Sequence, residues 1–205
     1  MKILNLYSGI GGNRKLWGDK HKITSVEHSK EIANVYKSYF PNDIVVVGDA
    51  HKYLLNHYKE FDFIWSSPPC PTHSDIRRCG VHARQYEAKY PEMDLYQQII
   101  LLQNFAPLSQ KWVIENVRPY YTPLIKPTSI INRHYFWSNF FIPNVNYNKS
   151  HNLHNDIVGS NEVYGFSVKN SKIKNKRQVL RNLVNPLVGK HIFESRDLKA
   201  QTELF

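Results

Sequence analysis

Cysteine is nearly absent from this chain: Cys70 and Cys79 are the only two in 205 residues. Two thiols cannot build the disulfide framework of a small secreted domain, and they do not suggest a cysteine zinc site. The ten histidines are scattered. They show no repeating pair at metal-ligand spacing, so no metal site is expected. Long apolar runs are missing too, and none approaches the length that spans a bilayer. The opening MKILNLYSGIGG does not read as a signal peptide, because its apolar stretch is short and runs straight into glycines. A soluble, cytoplasmic chain with no membrane attachment is expected. Acidic residues are few: 17 against 27 lysines and arginines, for a formal charge of +10. The excess points to a polyanionic partner, of which nucleic acid is the commonest. Charge alone favours this only modestly, since a basic surface also serves solubility.

What is present describes an ordinary globular domain. The hydrophobic fraction is 41% and the aromatic fraction 13%, which argues against global disorder. The length suits one domain, or one domain with a small appendage, and can bury a sizeable core without staples. Short apolar runs at residues 2–7, 23–27, 44–47, 61–65 and 112–114 read as strands. Helical spacing is seen at residues 30–39, where Ile32, Val35, Tyr36 and Tyr39 share a face and Pro41 stops the run. Residues 51–58 and the long apolar stretch 95–105 also read as helices. This alternation predicts an α/β fold, a mostly parallel sheet with helices on both faces. Ligands in such sheets lie beyond the carboxyl ends of the strands. After about residue 141 the character changes. Residues 144–155 are rich in asparagine and predict irregular structure. Residues 163–193 contain no acidic residue, and 179–193 return to apolar periodicity, predicting a closing helix. Neither an internal repeat nor a heptad is found. The division expected is a core at 1–140, a short basic segment at 141–177 and a closing segment at 178–205.

The candidate chemistry sits at the strand ends. Ser8-Gly9-Ile10-Gly11-Gly12 follows the first strand and can open a helix. Glycines there let a ligand approach the backbone, and a helix N-terminus favours electron-rich groups. The same glycines would also serve a plain strand-to-helix turn. Glu27 ends the second strand, where an acid can accept hydrogen bonds from a ribose. Asp49 follows the third, placed to meet an adenine amine. Either acid alone could instead be a helix cap. Together with the glycines they outline a nucleoside pocket. Ser67-Pro68-Pro69-Cys70-Pro71 follows the fourth strand. Its prolines preset the loop, and a thiol there, followed by Thr72, His73 and Ser74, suits an exposed, reactive cysteine. An inert cysteine is the commoner alternative. Glu115-Asn116-Val117 ends the fifth strand. A carboxylate beside a thiol loop can exchange a proton with a ring nitrogen, although a surface acid before a turn asparagine would look the same.

Taken in order, the Tyr7–Gly12 turn, Glu27, Asp49, Pro69-Cys70 and Glu115-Asn116-Val117 resemble the DNA cytosine-5 methyltransferase family. Asn182-Leu183-Val184-Asn185-Pro186-Leu187-Val188 is similar to that family's last motif. The resemblance covers nearly the whole chain except about residues 140–177. It implies a Rossmann-like methyltransferase fold that uses S-adenosylmethionine. Tyr7, Gly9, Ile10, Gly11, Glu27, His28, Asp49, Pro69, Asn182 and Val184 would line the cofactor site. Cys70 would be the nucleophile that adds to carbon 6 of a flipped cytosine, and Glu115 would engage ring nitrogen 3. Of the two arginines that the family usually carries in a Gln-x-Arg-x-Arg pattern, Ile131-Asn132-Arg133-His134-Tyr135 keeps Arg133.

Ser74, Asn116, Arg77, Arg78, Lys174 and Arg177 are the candidate substrate contacts. The segment after Cys70 reads as a basic loop, with Arg77, Arg78, Arg84 and Lys89 outnumbering Asp75 and Glu87. Phosphate contact would explain these charges, as would a solvated face. Double-stranded DNA is the expected partner. RNA, as in the family's tRNA-methylating branch, is the sibling reading, and a non-catalytic DNA-binding relative is the alternative from another class. The short recognition segment leaves room for a protein partner that supplies target choice.

Overall fold

The computed structural model describes residues 1–145 and 162–198; the asparagine-rich stretch expected to be irregular therefore lies largely outside the described residues. Strand β1 (Lys2–Leu6) is buried on both faces, as a central parallel strand must be. Its alternation places Ile3 in one apolar cluster, with Trp17, Phe63, Trp65 and Phe193. Leu4 and Leu6 enter another, with Leu54, Ile64, Ile99 and Ile114. β2 (Lys22–Glu27) pairs with one side of β1 and then with β3 (Ile44–Val47). β4 (Phe63–Ser66) pairs with the other side of β1 and then with β5 (Lys111–Val117). All four pairings are parallel. A hairpin of β6 (Ser129–Ile131) and β7 (His134–Ser138) closes the β5 edge with antiparallel pairs. The sheet order is β3-β2-β1-β4-β5-β7-β6.

This order has a switch point. The chain winds outward from β1 through β2 and β3, then returns to the other side of β1 as β4. A crevice opens at such a switch, beyond the carboxyl ends of the two strands. Here those strands are β1 and β4, and Leu6 lies beside Ser66 in register. The glycine turn after β1 and the proline loop after β4 are thereby set side by side.

The helices cover both faces as expected. α1 (Lys30–Tyr39) starts at Ser29, whose Oγ accepts from the Ile32 amide at 3.3 Å. α2 (Ala50–His57) and α4 (Asp94–Phe105) pack on the Leu4 face of β1. Between Cys70 and α4 the structure forms a helix, α3 (Asp75–His82), capped by Ser74, where the sequence predicts a basic loop. A serine followed by Asp75 is a helix-start signal that the charge count obscured.

Three further differences have local causes. The glycine turn opens a 3-10 turn (Asn13–Leu16), not an α-helix. The predicted closing helix is two: α5 (Lys176–Arg181) and α6 (Pro186–Ser195). Pro186 has no amide proton and drives Asn185 out of helical geometry, to φ −57° and ψ 125°. Proline then suits the first position of α6, which Asn185 caps. Finally, β8 (Glu162–Val163) and β9 (Phe166–Ser167) form a small hairpin that the sequence did not suggest. Val163, Phe166, Val168 and Ile173 pack with Ile10, Tyr36 and Phe40. This described part of the expected recognition segment therefore rests on the glycine turn and α1.

Two contacts hold the turn in place. Gly12 lies so close to the α5–α6 connection that a Cβ there would sit 2.5 Å from the Val184 carbonyl oxygen. Arg14, in the 3-10 turn, forms a buried two-pronged pair with Asp43, at 2.9 and 3.1 Å. Tyr36 donates to the same carboxylate at 2.7 Å. No helix among the described residues is long and apolar enough to cross a membrane.

Candidate active site

On the β1 side of the crevice the backbone reverses sharply. Tyr7 has φ 53° and Gly9 φ 55°, and the Gly11 amide donates to the Ser8 carbonyl at 3.0 Å. Glycine at position 9 relieves the strain of that conformation. No atom lies within 4 Å of the place its Cβ would take, so the outer side of the turn is open. Glu27 binds this turn to the start of α1: its carboxylate accepts from the Gly9 amide and from the Ser29 amide, each at 3.0 Å. A carboxylate has about four lone-pair sites, so two remain for a ligand. Asp49 is exposed and caps α2, accepting from the Lys52 amide at 3.1 Å. That backbone hydrogen bond holds its carboxyl below the ordinary range. His28 and Pro69 are exposed at the rim.

Other predicted cofactor residues contribute differently. Ile10 and Val184 are buried in apolar clusters, so only their backbones remain to meet a ligand. Asn182 is exposed and ends α5, one residue before the segment that packs on Gly12. Sequence reasoning missed a polar chain beneath the turn. Tyr7 accepts a hydrogen bond from Gln98 Nε2 at 2.9 Å, and Ser66 donates to Gln98 Oε1 at 2.6 Å. Burial pushes the Tyr7 hydroxyl far up, so it stays protonated. The signal for this link was available: Gln98 falls on the face of α4 that Leu95, Ile99 and Leu102 bury.

On the β4 side, Asn116 fixes the proline loop. Its Nδ2 donates to the Pro68 carbonyl at 3.1 Å, and its Oδ1 accepts from the Val117 amide at 2.9 Å. This side chain is buried and engaged, so Asn116 holds the loop in place. The Cys70 carbonyl accepts from the amides of His73 and Ser74, at 3.0 and 3.1 Å. Cys70 itself is half-buried, not the exposed thiol that its proline flanks suggested. Burial, and then the charge of Glu115, push the thiol up to about 11; Arg133 and Arg181 pull the other way. The resting thiol is therefore protonated at neutral pH.

Glu115-Asn116-Val117 forms the end of β5, as the sequence predicts. Glu115 is 6% exposed. Its Oε1 lies 2.5 Å from His134 Nδ1. Arg133 is exposed in the two-residue β6–β7 turn, where Asn132 takes φ 56°. Its carbonyl accepts from the Arg118 amide at 2.8 Å. Glu115, Arg133 and Arg181 thus all act electrostatically on Cys70, and His134 stands beside Glu115.

The other predicted substrate contacts lie on α3 and at α5. Ser74 is the cap of α3 and forms an isolated bridge with Pro119. Arg77 donates to the Glu87 carbonyl at 3.1 Å and lies over the Tyr86 ring. Arg78 donates to the Tyr120 carbonyl at 3.4 Å and remains exposed. Lys174 and Arg177 are exposed. Lys174 acts electrostatically on Glu31 in the first turn of α1. Among the described residues, no group of three or more His, Cys, Asp or Glu is placed to hold a metal ion.

A five-stranded parallel core extended by an antiparallel hairpin, with a glycine turn and a carboxylate at its switch point, defines a Rossmann-like methyltransferase fold. The sequence matches the family model of the C-5 cytosine-specific DNA methylases over residues 1–123, and the chain belongs to that family. Solved structures are similar at lower levels. A protein of Pyrococcus horikoshii is 21% identical over 57% of this chain and 49% of its own, with a TM-score of 0.40. The DNMT2 protein of Spodoptera frugiperda, a triple mutant, is 25% identical over 57% of this chain and 35% of its own, at 0.39. A SAM-dependent methyltransferase from Agrobacterium tumefaciens is 14% identical over 60% and 40%, at 0.43. This chain spans half or less of the length of these three proteins. No curated protein matches it.

Proposed function

We propose that this chain is a cytosine carbon-5 methyltransferase that uses S-adenosylmethionine and acts on DNA. The observation that carries the reading is the meeting of Cys70 and Glu115. Cys70 lies in the loop after β4 and Glu115 in the paired strand β5, tied together by the hydrogen bond from Asn116 to the Pro68 carbonyl, beside an open glycine turn. The turn fits the cofactor: it leaves space outside Gly9 and keeps acceptor capacity on Glu27. Tyr7, Gly9, Gly11, Glu27, His28, Asp49 and Pro69 would hold it, with the backbones of Ile10, Asn182 and Val184. S-adenosylmethionine, when bound, supplies the methyl group.

The proton inventory explains why the resting thiol is inert. An ionised Glu115 opposes the Cys70 thiolate. Transfer of the Cys70 proton to Glu115 removes that repulsion and gives Glu115 a proton to donate to ring nitrogen 3 of cytosine, so one proton serves both events. The Cys70 thiolate then adds to carbon 6, and the electron pair moves towards the ring nitrogen that Glu115 engages. Carbon 5 becomes nucleophilic and takes the methyl group. Loss of the carbon-5 proton expels Cys70 and restores the ring. The base must leave its helix to reach Cys70, and Arg133 lies at the mouth to meet it. Target choice rests on the short basic segment at 141–177 or on a protein partner.

The test is transfer of label from tritiated S-adenosylmethionine to unmethylated genomic DNA and, in parallel, to bulk tRNA. Wild type is expected to label DNA, and Cys70→Ser to label neither. Label in tRNA alone would replace the DNA reading by the RNA one. No label in either would end the enzyme reading.

A further inference from the structure

Glu115 needs a hydrogen-bond donor that its own strand and its cross-strand partner do not supply. Its neighbours in β5, Ile114 and Asn116, are buried. Across the sheet it stands opposite Phe136, which is fully buried and apolar. A buried carboxylate without a donor is costly. The donor comes from the diagonal position. His134 precedes Phe136 by two residues and so faces the same side of β7. Its Nδ1 lies 2.5 Å from Glu115 Oε1, with 23% of the imidazole side chain exposed against 7% for the carboxylate. Tyr135, between them, faces the other way and packs into the cluster of α4. A strand-specific reason therefore selects His134: alternation turns Tyr135 away from Glu115 and turns His134 towards it. The tight β6–β7 turn, with Asn132 at φ 56°, begins β7 at His134 and sets that register.

We infer that His134 is a positioning residue for Glu115. It engages Oε1 and fixes the carboxyl rotamer, so that Oε2 is presented to the ring nitrogen of the base. This rests on the methyltransferase reading above. Its defining property is donor geometry and not bulk. Asparagine can place an amide nitrogen near the position of Nδ1, whereas leucine fills space without a donor.

The experiment compares wild type, His134→Asn, His134→Leu and Tyr135→Phe on unmethylated genomic DNA. Loss of a hydrogen bond to a charged group predicts a fall in kcat of about 10- to 100-fold for His134→Leu. KM for S-adenosylmethionine should be unchanged, because the cofactor turn is on another strand. His134→Asn should retain most of the activity, and Tyr135→Phe all of it. Equal loss in the Asn and Leu variants, or a Leu variant within threefold of wild type, would overturn the inference. A second measurement does not depend on turnover or on a folded Leu variant. The short Nδ1–H to carboxylate contact should give a downfield imidazole proton resonance in wild type that disappears in Glu115→Gln. Its absence from wild type, or its persistence in Glu115→Gln, would refute the contact even if no nucleic acid is methylated. No transfer by wild type, with the resonance present and lost in Glu115→Gln, would sink the function and leave the His134–Glu115 pairing standing.

Discussion

Consider Glu115→Gln and its effect on the Cys70 thiol. In the wild type the thiol is raised from 9.0 to about 11, by burial first and by the Glu115 charge second. At neutral pH that shift cuts the thiolate fraction about 100-fold. The variant keeps the burial and loses the charge. Each pKa unit by which the thiol falls on losing that charge raises the thiolate fraction about tenfold. A less basic thiolate is a weaker nucleophile, with a Brønsted slope of about 0.4–0.5, which takes back about threefold. The net expectation is that Cys70 is alkylated faster, by about threefold for each such unit. The sign runs opposite to a simple loss-of-catalysis expectation, since the same change should abolish methyl transfer. The assay is iodoacetamide labelling between pH 7 and 9, read by peptide mass spectrometry. Both proteins carry Cys79→Ser, because Cys79 is exposed and would react as well. In each protein the rate should climb steeply with pH, because the thiol still titrates above this range in the wild type. Equal or slower labelling of the variant, with an unchanged melting profile, would refute the electrostatic link between the two residues.

Two further perturbations test the frame around the site. Gly12→Ala places a Cβ 2.5 Å from the Val184 carbonyl oxygen and 3.1 Å from its amide nitrogen. Backbone cannot yield cheaply there, so a loss of about 1–3 kcal/mol in urea unfolding is expected, together with weaker S-adenosylmethionine binding by calorimetry; an unchanged midpoint would show that the C-terminal segment is not seated on the turn. Asp43→Ala leaves the Arg14 guanidinium buried without its main partner, and a loss of about 3–5 kcal/mol is expected from the same measurement; a loss under about 1 kcal/mol would mean that Arg14 finds water or Asp19 instead.

Much of the fold was legible along the chain because its signals are local. Apolar runs ended by glycine, proline or an acid marked β1 to β5, and the chemistry sits just past or near their ends because a parallel sheet places ligands there. The family resemblance of Cys70, Glu115 and the glycine turn likewise needed only residue type and order. What the sequence could not determine depends on contacts between distant residues. Whether the Val179–Phe193 periodicity makes one helix or two turned on the dihedral restriction at Asn185-Pro186, a local signal overlooked beside the apolar pattern. The inertness of Cys70 did not follow from its prolines: it follows from burial and from a carboxylate 45 residues further along the chain, which β4–β5 pairing brings alongside. His134 was passed over because its neighbour Arg133 matched a motif. Only strand alternation and the register of β5 with β7 decide that the imidazole faces Glu115 while Tyr135 faces the core. Sequence by itself determined which groups the chain possesses and at which strand ends they stand; tertiary structure decided which groups touch, and thereby their protonation and orientation, because charge and hydrogen bonding act through space and not along the chain.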